Sequence, residues 1–190
     1  MGSFEKNLAQ GQLGEGIISK WLQERGHSVF PAYQIEQHTG KGPQLFSAAR
    51  DLVLPDLLVF KGKNIHWVEA KNKTCFSWHR ITSRWTTGID LRHYEEYQEV
   101  SERTELPVWL VFWHPKSQPD LRDLDHGSPK ECPTGLFGGD IDRLKDCENH
   151  RAESFNHASN TGHGKSGMVY WAVNNLQRLD SNGTTINANI

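Results

Sequence analysis

The stretch Val108 to Trp113, VWLVFW, is apolar at every position. A strand turns successive side chains to opposite faces, so a run without polar alternation leaves neither face for water. A chain containing it must place a covering layer on each side of a sheet. Two shorter apolar stretches precede it, Leu54 to Phe60 (LPDLLVF) and Ile65 to Ala70 (IHWVEA). Lys61-Gly62-Lys63-Asn64 joins them with the chemistry of a tight hairpin turn.

The covering layers are legible in part. Between residues 5 and 25, Leu8, Leu13, Ile17, Ile18, Trp21 and Leu22 recur at three-to-four spacing and Gly26 supplies a stop, which predicts a helix. His27 to Tyr33 reads as a first strand, with Pro31 marking an edge or a bulge. Residues 36 to 50 read as loop, and 72 to 88 as a polar and aromatic connection. A second helix is expected over Asp90 to Arg103, with Tyr94, Tyr97 and Val100 sharing a face. Residues 115–167 are rich in Pro, Gly, Asp, Asn and His and read as a loop-rich insertion, with a short helix hinted at Ile141 to Leu144. Met168 to Val173 reads as an additional strand, Leu176 to Leu179 as a brief helical turn, and 180–190 as a frayed tail. The order argues for an α/β sandwich in one domain, residues 1–190, with its core in 5–114. An apolar fraction of 36% and seven tryptophans suffice for that core.

Asp56 and Glu69 fall on the two hairpin strands, and Lys71 follows Glu69 by two, on the same face. Carboxylates on adjoining strands suit a hard divalent cation, and a neighbouring lysine can orient a water and offset negative charge developing on a phosphate. Pro55-Asp56, twelve residues, then Glu69-Ala70-Lys71 resembles the signature of the PD-(D/E)XK nuclease superfamily, the restriction-endonuclease-like and Holliday-junction-resolvase-like enzymes. The resemblance implies an αβββαβ core with a mixed central sheet flanked by helices, here followed by an irregular C-terminal extension. It implies Mg²⁺ or Mn²⁺ held by Asp56, Glu69 and the Ala70 carbonyl, with Lys71 on the water. Products would carry a 5′-phosphate and a 3′-hydroxyl. Many members add a glutamate from the first helix, and Glu15 falls where that residue would lie. The alternative for Asp56, Glu69 and Lys71 is a turn residue followed by an exposed ionic pair.

Glu15 lies on the helical face of Ile18 and Leu22, and Gly11, Gly14 and Gly16 around it point to a close approach of backbone or substrate. The alternative is a surface glutamate neutralising a helix start. Residues 73 to 88 interleave Lys73, Arg80 and Arg84 with Phe76, Trp78 and Trp85, a pattern suited to tracking phosphates and accepting unpaired bases. The same aromatics would equally pin a long loop to the core. Tyr94 and Gln98, spaced i, i+4, are candidates for facing the scissile phosphate; Tyr94 also fits a core position.

Charge distribution fits a localised polyanion site. Residues 61 to 92 hold seven bases against two acids, residues 93 to 160 fourteen acids against seven bases, and the whole chain carries a formal −2. That balance disfavours a passive nucleic-acid coat. Cys132, Cys147, His150, His157 and His163 raise a structural zinc site, although their spacing is irregular. No apolar run reaches membrane-spanning length and no signal-peptide pattern opens the chain, so the expected compartment is a reducing cytoplasm, without a membrane partner. The expectation is a metal-dependent endonuclease acting on DNA; cutting both strands would favour a homodimer. Against it stand a nuclease-like module that grips nucleic acid or protein without cleaving, and a zinc-stabilised interaction domain.

Overall fold

The computed structural model describes residues 3–32, 43–152 and 167–181, with side chains from residue 11 onward. It is a mixed α/β protein whose central mixed sheet is flanked by helices, as the sequence predicts.

The first helix, α1, runs Ser3–Glu24. Gly26, at φ 79°, ends it and turns the chain into β1 (Ser28–Pro31). A two-stranded ribbon, β2 (Gln44–Leu45) with β3 (Leu52–Val53), precedes the hairpin of β4 (Leu57–Lys61) and β5 (Asn64–Asn72). Gly62 takes a positive φ of 62° in that two-residue turn, which a residue with a Cβ would resist. After β6 (Ser77–His79) and β7 (Arg84–Asp90), Asp90 caps α2 (Leu91–Thr104) by accepting from the Arg92 N–H at 3.0 Å. The apolar run forms β8 (Val108–His114), followed by α3 (Leu121–Asp125), β9 (Gly135–Asp140) and α4 (Ile141–Lys145). The described chain closes with β10 (Glu148–Ala152), β11 (Met168–Ala172), a 3-10 turn at Val173–Asn175 and β12 (Gln177–Arg178).

Six strands build the central sheet in the order β1-β4-β5-β8-β9-β12, with β1 at an edge, where Pro31 needs no donor. Only β5 and β8 pair in parallel, joined by the crossover through α2; the other pairs are antiparallel. One face is covered by α1, through Ile18, Trp21 and Leu22 against Leu57, Val59, Val68, Ala70 and Val111. The opposite face carries Trp67, Leu110 and Phe112, packed under α2 and a second sheet ordered β10-β11-β7-β6. Both faces of β8 are therefore buried.

Three expectations are corrected. Residues 72–88 are not a plain connection but contain the β6–β7 hairpin. The stretch 115–167 is not merely loop-rich: its β9 pairs with β8 in the central sheet. Its glycines mislead because they serve close packing. A Cβ on Gly138 would stand 2.5 Å from the Leu110 carbonyl oxygen, and one on Gly139 would stand 3.0 Å from Leu144. Leu176 to Leu179 is not helical, because Gln177 and Arg178 pair with β9 as β12. The expected frayed tail lies outside the described residues from 182 onward. Among the described residues no helix is long and apolar enough to cross a membrane.

Candidate active site

The hairpin register places Leu57 opposite Val68, and one further step brings Asp56 opposite Glu69. There the strand β4 stops, and the Asp56 carboxylate takes over its ladder bond by accepting from the Ala70 N–H at 2.9 Å. Val68 and Ala70 point under α1, whereas Trp67, Glu69 and Lys71 point to the α2 side. Glu69 is 1% exposed, and its Oε1 forms an ion pair with the Lys71 ammonium. Its Oε2 is buried without a hydrogen-bond partner. An ionised carboxylate so placed is expensive unless a positive group answers it.

The helix α1 is brought against β5 by the absence of a side chain. A Cβ on Gly14 would stand 2.5 Å from the Asn72 Cβ, so only glycine permits this approach. Glu15, next in sequence, then shares a recess of about 320 Å³ with Ala70, Lys71, Lys73 and Thr74. Electrostatics unite the group. Burial first, and then the Glu69 charge, push the Glu15 carboxyl up, while Lys71 pulls it back. Asp56 is raised well above the usual carboxylate range by burial, then by Glu69 and Glu15, against Lys71 and the Ala70 N–H. Burial alone would lower Lys71, but Glu69, Asp56 and Glu15 outweigh it and hold the ammonium charged. Lys73 is pulled down to about 8 by burial and by the neighbouring Lys71.

Glu15, Asp56, Glu69, Ala70, Lys71 and Lys73 thus gather at one end of β5. Other candidates lie elsewhere. Arg80 and Arg84 are exposed on the β6–β7 hairpin. Phe76 and Trp85 belong to the core, so of the three interleaved aromatics only Trp78 is half-exposed. Tyr94 does not face the cluster: it is fully buried against Trp171, 5.4 Å between ring centroids, with Glu148 and Arg151 at its hydroxyl end. Gln98 is half-buried on α2. The residue that does reach the cluster from α2 is Tyr97, whose phenol is raised by burial and then by the charges of Glu69 and Asp56 beside it. Tyr97 shares an apolar face with Tyr94 in the sequence, and which of the two meets β5 depends on how α2 is rotated over the sheet.

Among the described residues, no group of three or more His, Cys, Asp or Glu side chains is arranged to hold a metal ion. The donor chemistry nevertheless suits a hard cation: all candidate ligands are oxygens, and Glu69 Oε2 is an orphaned acceptor. The zinc candidates are dispersed. The Cys132 thiol donates to the Lys116 carbonyl, the Cys147 thiol donates to the Arg143 carbonyl, and His150 is sandwiched between other rings. His157 and His163 lie outside the described residues.

No family model matches the chain, and no curated protein does. Among solved structures, it is similar to Hjc, a Holliday junction resolvase from Archaeoglobus fulgidus. Identity is 8% and the TM-score 0.45, over 87% of this chain and 90% of that one. A likeness this faint transfers no activity.

Proposed function

We propose that this protein is a metal-dependent nuclease of the PD-(D/E)XK type that hydrolyses DNA phosphodiester bonds, cutting within strands. The observation that carries the reading is the Asp56–Glu69–Lys71 group at the end of β5, its Glu69 buried and its Asp56 and Lys71 half-buried, with Glu15 from α1 and a carboxylate oxygen left unsatisfied. Such a cluster of like charges costs stability, and a fold has no structural need of it here. Asp56, Glu69 and the Ala70 carbonyl, with Glu15, would hold Mg²⁺ or Mn²⁺, which when bound supplies positive charge against the phosphate. Lys71 then leaves Glu69, donates to the attacking water and lies against the charge that develops on the phosphate oxygens. Lys73, at the rim of the same recess, pairs with the neighbouring phosphate. Tyr97 lies beside the Glu69 carboxylate on the α2 side and keeps bulk water off it.

The rival reading is a nuclease-like module that binds DNA without cutting it, and the closed Lys71–Glu69 pair favours it. Incubating linear, nicked and branched DNA with the protein in Mg²⁺ separates the two. Cleavage is expected that vanishes in excess EDTA. Lys71→Ala is expected to lose roughly 10²–10⁴-fold in rate while retaining DNA affinity. Cleavage undiminished by EDTA, or by Lys71→Ala, overturns the assignment; binding without any cleavage establishes the rival.

A further inference from the structure

The second sheet has a face that the nuclease reading leaves unused. Trp85, Ile89, Val169 and Trp171 alternate toward the core, so Ser77, His79, Thr86, Gly88, His150 and Tyr170 turn to the other side. β6 and β10 are the two edges of this sheet, yet the rings of His79 and His150 stack at 3.8 Å between centroids, 8° from parallel. The edge strands do not pair; their two rings meet across the strands that separate them. Tyr170 stacks on the far side of His150 at 4.3 Å and 5°, making a column of three parallel rings. The column rests on Gly88, where a Cβ would come within 2.8 Å of the Tyr170 ring. Asn149 bonds the Nδ1 atoms of His79 and His150 at 3.2 and 3.0 Å and fixes their planes.

Beside the column lies a hollow of about 400 Å³, also lined by Trp78, Arg80, Arg122 and Asp123. That volume falls within the roughly 300–1,000 Å³ of ligand sites. Among the described residues no further ring stacks on His79. Arg80 and Arg122 are exposed at the rim, without a salt bridge among the described residues. The Asp120 and Asp123 carboxylates also face the hollow, and Asp123 already accepts from the Trp78 N–H at 3.0 Å. Flat rings, cations and carboxylate acceptors together match a nucleotide: a base to stack, a phosphate to pair and an exocyclic amine to donate. Thr74 lines the recess of the candidate active site and Cys75, the next residue, lines this hollow.

We propose that the hollow receives an unpaired nucleobase of the DNA strand held at the candidate active site, extending the ring column at His79. The substrate class is then DNA carrying unpaired nucleotides, whether a tail, a bulge or a branch. The inference rests on the nuclease reading for its DNA, but not on cleavage. A base locked in a duplex presents only its edges and cannot enter between stacked rings and the rim; a free one offers its face.

The test uses the full chain in Ca²⁺ with duplexes carrying the fluorescent base 2-aminopurine, either paired or in a single-stranded tail. The unpaired probe is expected to be quenched on binding and the paired probe unchanged. His79→Ala should abolish the quench and weaken tailed DNA about ten-fold, leaving fully paired DNA unaffected. Arg80→Ala, on an exposed turn where folding is not at risk, should weaken tailed DNA to a smaller extent. Quenching with no cleavage in Mg²⁺ sustains this inference and removes the nuclease reading. Cleavage without quenching, with His79→Ala and Arg80→Ala both like wild type, overturns the inference and spares the nuclease reading. Failure to bind any DNA overturns it as well.

Discussion

The two sheets share one apolar layer and place their polar residues differently. In the six-stranded sheet, both faces are covered, and the charges that intrude, a buried Glu69 with half-buried Asp56 and Lys71, gather where α1 and α2 overhang β5. In the four-stranded sheet one face is core, and on the other the polar side chains include a column of stacked rings. Buried charge is costly and responds strongly to an arriving ion or phosphate; stacked rings cost little and respond to flat partners. The first arrangement suits chemistry and the second suits grip.

The largest effect expected in testing this contrast is on the shared layer. Trp171 is fully buried, meets Tyr94 edge to face and donates from its indole to the Leu144 carbonyl at 2.9 Å. Trp171→Ala should cost about 3–5 kcal/mol in urea denaturation and loosen both sheets as one cooperative unit. Two separate transitions would show that the sheets are independent and would break the comparison.

Next comes acid sensitivity. His114, at the end of β8, stacks on Phe76 at 3.7 Å between the sheets, and burial lowers it to about 3; His66 is lowered to about 4. Both are depressed below the ordinary value, so the unfolded chain takes up their protons first as the pH falls. Their stabilisation is complete above about pH 6.5 and is lost progressively on acidification toward pH 3, by a few kcal/mol in order of magnitude. His114→Phe should flatten that slope in pH-dependent melting; an unchanged slope would remove His114 from the cause.

Gly14→Ala sharpens the comparison at the α1 contact. Helix propensity alone would make the substitution stabilising by up to about 1 kcal/mol. The contact with Asn72 predicts the opposite, a loss of about 1–3 kcal/mol and reduced cleavage as Glu15 is pushed from β5. A raised melting temperature would refute the close approach.

The smallest effect is expected from Glu15→Gln. Removing one of three mutually repelling carboxylates should leave metal-free stability equal to wild type or slightly higher, while reducing the melting shift on adding Mg²⁺. An equal Mg²⁺-induced shift in both proteins returns Glu15 to an ordinary helix glutamate.

The sequence by itself determined the elements whose signal is local. VWLVFW could only be a covered strand, Gly62 could close the hairpin, and Asp90 could cap a helix; each depends on neighbours within a few residues. It also determined that Glu69 and Lys71 share a face, because the strand period is two. Only the tertiary structure decided what long-range contact controls. Gly138 and Gly139 read as loop until Leu110 and Leu144 are packed against them. Phe76 and Trp85 read equally as base acceptors and as core until the second sheet turns them inward, and His79 meets His150 only because that sheet brings their strands together. Tyr97 rather than Tyr94 meets Glu69 because the rotation of α2 is set by the layer above it. A side chain's partner across 20 or more residues is fixed by packing and not by any local preference, and so no local pattern records it.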